Sequence, residues 1–262
     1  MTSGMTDSQA LAGITVAVTR PAAQAVSLCR LIEAHGGTSI AFPAIEIRAP
    51  ESQQQLATLP SRLNQFDMAI FISANAVEGA ARLIGDTLPA ALQLAAVGDS
   101  TRRAVERHWR RPVISPAQGW NSEALLATGK LQQLNGRRII IFRGQGGREL
   151  LAQTLSQRGA AVEYAEVYRR VRPGGDLRRL MAHDPPPDVI TATSNETLQN
   201  LYDMAARSQR EWLLQRQLVV IGERAADLAV RLGFQHPAIV AAHGNEQGLV
   251  EAMTAWRRDN NH

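Results

Sequence analysis

The segment Glu163-Tyr-Ala-Glu-Val-Tyr168-Arg-Arg-Val-Arg-Pro173 sets a tyrosine in an extended, strand-like arm, with two arginines directly after it. A phenol with cationic neighbours can give a proton to a departing oxygen, which is general acid catalysis. A lone tyrosine in a strand more often packs. Here a second observation weighs against that. The earlier segment Ile40-Ala-Phe-Pro-Ala-Ile45-Glu-Ile-Arg-Ala-Pro50 has the same extended character, also ends in proline, and carries Ile45 where the later one carries Tyr168. The later copy gains an ionisable hydroxyl, so Tyr168 is the candidate acid.

A second group of candidates is small and polar. Arg20-Pro21, Ser73-Ala-Asn75, Gly98-Asp-Ser100-Thr101, Arg143-Gly144-Gln-Gly146-Gly147-Arg148, Ser194-Asn195-Glu196, Gly222-Glu-Arg224 and Gly244-Asn-Glu-Gln247 each follow a short apolar run. Such residues cap helices and ease turns in proteins that bind nothing there. Taken together, several helix N-termini turned toward one ligand would present free backbone N–H groups, and these attract anions. The ligand class implied is a polyanionic small molecule.

The elements that must position these residues alternate between strand and helix. The runs Ile14–Val18, Met68–Ile72, Leu94–Val97, Ile139–Phe142, Val189–Ala192, Leu218–Ile221 and Ile239–Ala241 each lead into a helical pattern. That alternation predicts α/β units with parallel sheets covered by helices on both faces. In such sheets ligands lie beyond the carboxyl ends of the strands, where the polar candidates stand. The chain is also written twice. Gly13-Ile-Thr-Val-Ala-Val-Thr-Arg20 recurs as Gly136-Arg-Arg-Ile-Ile-Ile-Phe-Arg143, and Asp67-Met-Ala-Ile-Phe-Ile-Ser73 recurs as Asp188-Val-Ile-Thr-Ala-Thr-Ser194. Leu94–Gly98 recurs as Leu218–Gly222, and Pro112–Gly119 as Pro237–Gly244, so four blocks keep their order.

Composition narrows the function classes. At 262 residues, 45% hydrophobic and 20% charged, the chain suits two modest globular domains. No apolar run approaches the roughly 20 residues of a membrane span. The first dozen residues read as a loose tail and not as a signal peptide. Cys29 is the only cysteine, which excludes an internal disulfide and thiolate metal clusters. A cytoplasmic protein is the simplest expectation. Of the 28 basic residues only Lys130 is a lysine. The arginines are dispersed and aromatics are 5%, which argues against nucleic acid.

Several familiar motifs fail. The Arg143–Glu149 turn has the outline of a dinucleotide fingerprint, but Glu149 takes the third glycine position and the first copy, Arg20-Pro-Ala-Ala-Gln24, has no glycine. There is no Walker lysine motif and no G-x-S-x-G elbow, and the six histidines lack metal-ligand spacing.

The set Val18-Thr-Arg20-Pro21, Ile70-Phe-Ile-Ser73-Ala-Asn-Ala-Val77, Ala96-Val-Gly98-Asp-Ser-Thr101, Phe142-Arg143-Gly-Gln-Gly-Gly-Arg148-Glu-Leu, Glu166-Val-Tyr168-Arg, Thr193-Ser194 and Ile221-Gly222-Glu-Arg224 resembles the uroporphyrinogen-III synthases. The resemblance runs from about Gly13 to about Trp256, and its most specific parts are the Tyr168 arm and the glycine turn. It implies a lyase that closes hydroxymethylbilane to uroporphyrinogen III with loss of water and without metal or organic cofactor. It implies two similar doubly wound α/β domains joined by a two-stranded β linker, the second inserted into the first. Domain one would be 1–41 with 174–262, domain two 48–164, and the linker 42–47 with 165–173. Each domain would then pair the front of one repeat with the back of the other. It implies Tyr168 as the catalytic acid. Arg20, Ser73, Asn75, Gly98, Ser100, Thr101, Arg143, Gly144, Gly146, Gly147, Arg148, Ser194, Asn195, Gly222 and Arg224 would bind substrate. Some relatives carry paired threonines after the position of Gly222, where this chain has Arg224-Ala225. The implied protein is a monomer acting on a substrate handed over by the enzyme that makes it. The competing class is a non-catalytic two-domain binder of a polyanion, which would give no reason for Tyr168 to stand in one arm alone.

Overall fold

A computed structural model describes residues 7–52, 54–119, 121–147 and 149–260. Its strands are β1 (Thr15–Val18), β2 (Thr38–Ala41), β3 (Glu46–Arg48), β4 (Met68–Phe71), β5 (Gln93–Ala96), β6 (Val113–Ile114), β7 (Arg138–Gly144), β8 (Ala161–Val171), β9 (Val189–Ala192), β10 (Gln217–Ile221) and β11 (Ile239–Ala241). They form two sheets, ordered β11-β10-β9-β1-β2 and β3-β8-β7-β4-β5-β6. The pairings β1 with β2 and β9, β9 with β10, and β10 with β11 are parallel, as are those of β7 with β8 and β4, β4 with β5, and β5 with β6. The strands β1, β4 and β9 are buried at every residue. Burial on both faces is why the sequence shows them as unbroken apolar runs instead of alternating patterns.

The chain divides into two compact units, one taking Met1–Glu46 and Val171–His262 and the other Ile47–Arg170. The passages between them fall in β3 and at the end of β8, which are neighbours in the second sheet. Matched through the repeat, β1 corresponds to β7, β9 to β4, β10 to β5 and β11 to β6. The first sheet therefore joins the front of one copy to the back of the other, and the second sheet does the converse.

In each unit two apolar layers lie against the two faces of the sheet. In the inserted unit Ala69, Phe71, Ile140 and Phe142 face one layer, and Met68, Ile70, Ile139 and Ile141 face the other. In the first unit Ala17, Ile190 and Val220 face one layer, and Val16, Val18, Val189 and Val219 face the other. The repeated aspartates align strand starts. Asp67 accepts a hydrogen bond from Arg138 N (2.8 Å) and Asp188 accepts one from Thr15 N (2.8 Å). The Arg138 amide and then the Arg137 side chain hold the Asp67 carboxyl below the usual carboxylate range.

Two expectations need correction. The segment 40–50 is not one extended arm. Ile40 and Ala41 close β2 in the first sheet, and the strand then breaks around Pro43 before β3. Proline has no N–H to continue a ladder. Phe42 N and Ala44 N still donate to Val18 O and Thr19 O, both at 2.9 Å, which ties that stretch to the first unit. Nor is the whole N-terminal dozen a loose tail. Leu11 is fully buried in the layer with Val16 and Leu28, and its N–H donates to His35 O at 2.8 Å.

The helix Ala74–Ile84 lies directly on β8. A Cβ on Gly79 would come within 2.8 Å of both Val167 O and Val167 Cγ2. Helix propensity alone would make Gly79→Ala favourable by about 0.8–1.0 kcal/mol. The clash involves backbone, which cannot rotate aside, and overpacking of this kind costs about 1–3 kcal/mol. Gly79→Ala is therefore expected to lower the thermal unfolding midpoint followed by circular dichroism. A raised midpoint would show that the helix has room to lift from the strand.

Candidate functional site

In the inserted unit the chain runs from β7 outward to β8, and from β4 the other way to β5 and β6. The connections thus part between β7 and β4, and ligand sites of doubly wound sheets form at such points. The residues there are Ser73 after β4, Gly144 ending β7, and Tyr168 on β8.

Tyr168 reaches this place through an irregularity in β8. Arg143 pairs with Glu166 but Gly144 pairs with Tyr168, so β8 spends one extra residue at Val167. In a regular strand neighbouring side chains point to opposite faces. The bulge cancels one alternation, and Val167 and Tyr168 both join the layer with Phe71, Val77 and Phe142. The Tyr168 ring, 1% exposed, lies across Gly144. A Cβ there would stand 2.6 Å from ring atom Cζ, so only glycine leaves the ring its place. Gln145 N donates to Tyr168 O at 2.8 Å and locks the strand beside the glycine.

The phenol meets Ser73, with Ser73 Oγ and Tyr168 Oη sharing a hydrogen bond of 3.1 Å. Ser73 is in turn the N-cap of the helix Ala74–Ile84, its Oγ accepting from Ala76 N at 3.1 Å. Arg169, next to Tyr168 in sequence, turns to other partners, the Glu51 carboxylate and Ala49 O. The phenol thus stands at a helix N-terminus.

The glycine turn is organised by buried charge. The Arg143 side chain, 4% exposed, donates through Nη1 to Glu149 Oε1 at 3.0 Å and through Nε to Gly144 O at 3.2 Å. Its guanidinium stacks 4.4 Å from the Tyr164 ring centroid, with Glu166 Oε1 3.7 Å from Nε. Gly146 N donates to Glu166 Oε1 at 3.2 Å. Gly146 and Gly147 are exposed and take φ of 74° and 108°, which favours glycine. The following helix starts at Leu150 with Glu149 at its N-cap, so these glycines sit in a loop ahead of the helix. Arg148 lies outside the described residues. Glu149, Tyr164 and Glu166 were missed as site residues, because nothing in their spacing shows that Arg143 turns inward to them.

The remaining candidates cap helices. Gly98 is the N-cap of the helix Asp99–Trp109, where Ser100 is exposed and Thr101 is 4% exposed. Asn75 lies in the first turn after Ser73. In the first unit Ser194 repeats the role of Ser73, its Oγ accepting from Thr197 N at 3.1 Å, and exposed Asn195 follows it. Arg20, just after β1, gives Nη1 to Glu246 Oε1 at 2.7 Å, while its buried Nε has no partner among the described residues. Gly222, at φ 82°, caps the helix Glu223–Leu232, and exposed Arg224 has no ion pair among the described residues. Here too the chain reverses between β1 and β9, so Arg20 and Ser194 flank the equivalent point. Among the described residues no cluster of three or more His, Cys, Asp or Glu could hold a metal ion, and no helix is long and apolar enough to cross a membrane.

Comparison with known proteins gives the family and the fold. The family model described as "Uroporphyrinogen-III synthase HemD" matches residues 26–251. The uroporphyrinogen-III synthase of Salmonella typhimurium is 33% identical, covering 92% of this chain and 100% of its own length. That of Escherichia coli is 31% identical with the same coverage. In fold, the chain is similar to the uroporphyrinogen-III synthetase of Helicobacter pylori (TM-score 0.60, 14% identity, 93% of this chain and 100% of that one). It is also similar to a mutant uroporphyrinogen III synthase of Thermus thermophilus (TM-score 0.58, 19% identity, 95% and 99%).

The Arg143 cluster makes a titration prediction. Burial first, then the hydrogen bond to Glu149 Oε2 (2.7 Å) and its charge, push the Tyr164 phenol up to about 12. The same bond, with that from Arg143, holds the Glu149 carboxyl below its usual range. Glu149→Gln removes the charge that opposes phenolate formation but leaves the burial. The Tyr164 phenol should then ionise at lower pH while staying above the ordinary tyrosine range. Ultraviolet titration, with Tyr164→Phe to assign the signal, checks this. An unchanged or raised midpoint in Glu149→Gln would contradict it.

Proposed function

Since the chain belongs to the uroporphyrinogen-III synthase family, we propose that it closes hydroxymethylbilane, a linear tetrapyrrole with eight carboxylates, to uroporphyrinogen III, with Tyr168 as the proton donor. The observation that supports this most is the Tyr168 phenol, set against Gly144 and Ser73 where the chain reverses in its sheet.

The reaction is a dehydration followed by a directed cyclisation. The hydroxyl of the ring A hydroxymethyl group leaves with its electron pair as the pyrrole nitrogen pushes electrons outward, forming an azafulvene-type cation. Protonation by Tyr168, direct or through water, lets the hydroxyl depart as water. Ring D attacks through its substituted carbon, passes through a spiro intermediate and recloses inverted. The final loss of a ring proton returns one proton to the phenolate, so the enzyme ends as it began. Without control of conformation, closure gives the symmetric type I isomer. Holding the reacting carbons in one geometry is worth roughly 7–11 kcal/mol.

Backbone N–H groups at the helix N-termini capped by Ser73, Gly98, Ser194 and Gly222 would hold acetate and propionate carboxylates. Ser100, Thr101, Asn75, Asn195, Arg20, Arg148 and Arg224 would add side-chain contacts. Arg143 has a different part in this reading. Its charge is spent on Glu149 and Tyr164, and it shapes the turn whose Gly144 seats the phenol. No cofactor enters the scheme. Residues 1–41 with 174–262 are read as domain one and 48–164 as domain two, with 42–47 and 165–173 as the linker. The enzyme is proposed to be a cytoplasmic monomer that takes hydroxymethylbilane from the enzyme that makes it.

The test is product analysis. Hydroxymethylbilane supplied to the purified chain should give type III uroporphyrinogen well above the uncatalysed background. Type I alone, at the uncatalysed rate, would overturn the proposal. Tyr168→Phe should keep the fold and slow type III formation about ten- to a thousandfold, the scale of lost general acid help. Full activity in Tyr168→Phe would leave the phenol a packing group.

A further inference from the structure

We propose that Ser73 is a positioning residue that aims the Tyr168 proton at the substrate and stabilises the phenolate left behind. This rests on the reading of Tyr168 as the acid and goes beyond it.

The hydrogen bond between Ser73 Oγ and Tyr168 Oη can run in either direction. A serine hydroxyl has one hydrogen to give and two lone pairs to accept with. Ser73 Oγ already accepts from Ala76 N. If Tyr168 donated to Ser73, the hydrogen of the half-buried serine would have no protein acceptor among the described residues and would turn to solvent. The tyrosine proton would also be tied up inside the protein. If Ser73 donates instead, the Ala76 N–H and Ser73 O–H are both placed, and the Tyr168 O–H, on a residue 1% exposed, meets its acceptor only when substrate supplies one. The last one is free for the departing hydroxyl. Both hydroxyls are then oriented by the backbone of the eleven-residue helix Ala74–Ile84. When the proton leaves, the phenolate oxygen keeps the Ser73 hydrogen bond, now charge-assisted, and faces the positive end of that helix.

The duplicated half supplies the contrast. Ser194 caps its helix with the same 3.1 Å bond, but its hydroxyl meets Thr197 Oγ1 at 2.8 Å, within its own helix. Capping alone accounts for a serine at both places. Only the copy with the tyrosine directs its hydroxyl to another strand.

The test separates the hydroxyl from the cap. Glycine replaces serine at an N-cap with little loss of stability, so Ser73→Gly removes the hydrogen bond while keeping the helix. Its kcat for type III formation should fall about 10- to 100-fold, the range for a hydrogen bond to a charged group, with KM little changed. Ser73→Thr, which keeps both hydroxyl and cap, should restore activity. In the Tyr168→Phe background Ser73→Gly should cost little more, because the two act as a unit. Full activity in Ser73→Gly beside a slow Tyr168→Phe would overturn this inference and leave the acid assignment standing. So would an equal loss from Ser73→Gly in both backgrounds. Full activity in Tyr168→Phe itself would instead remove the premise. Circular dichroism melting confirms that each variant is folded.

Discussion

The placing of one aromatic ring against one glycine fixes how the strand ends of the inserted unit pack. Tyr168 occupies space that any side chain at 144 would take, since a Cβ there would lie 2.6 Å from the ring. That contact needs the bulge at Val167, which turns Tyr168 toward the layer containing Phe71 and Phe142. It also needs the close seat of the helix Ala74–Ile84 on β8, which brings Ser73 within 3.1 Å of the phenol. The buried Arg143, its ion pair with Glu149 and the Tyr164 stack hold the turn that follows Gly144. Each feature is ordinary alone. Together they fix a hydroxyl at the point where the strand connections part.

The duplication shows which of these features serve the frame. Asp67 and Asp188 fasten the same strand start in each sheet, and Ser73 and Ser194 cap equivalent helices. Gly98 and Gly222 stand at equivalent helix starts. These pairs keep two α/β units folded and present N–H groups at their strand ends. The proposed chemistry rests on the difference between copies. Where the first copy has Ile45, in the broken stretch between β2 and β3, the second has a tyrosine whose hydroxyl joins a cap in a second element.

Much of this was legible in the sequence, for physical reasons. Strands buried on both faces announce themselves as apolar runs, so β1, β4, β9 and β10 stand within a residue or two of where the pattern puts them. Tyr168 was found by comparing the two copies. The bulge was not legible, because a one-residue offset in pairing leaves no mark in composition. The break at Pro43 was visible as a residue but was outweighed by the extended character around it. Arg143 reads from sequence as an exposed anion ligand. Its inward turn depends on Glu149, Tyr164 and Glu166 converging from a loop and a neighbouring strand. The family resemblance did what local pattern could not, by attaching a reaction to an α/β frame that many functions share.

The central claim is that a proton leaves the Tyr168 oxygen as the substrate hydroxyl departs. A solvent deuterium isotope effect on single-turnover ring closure tests it most directly, measured in the wild-type chain and in Tyr168→Phe. The account predicts a clear slowing in heavy water for the wild type that largely disappears once the phenol is gone. An isotope effect of the same size in both proteins would contradict it, because the proton in flight would then come from elsewhere.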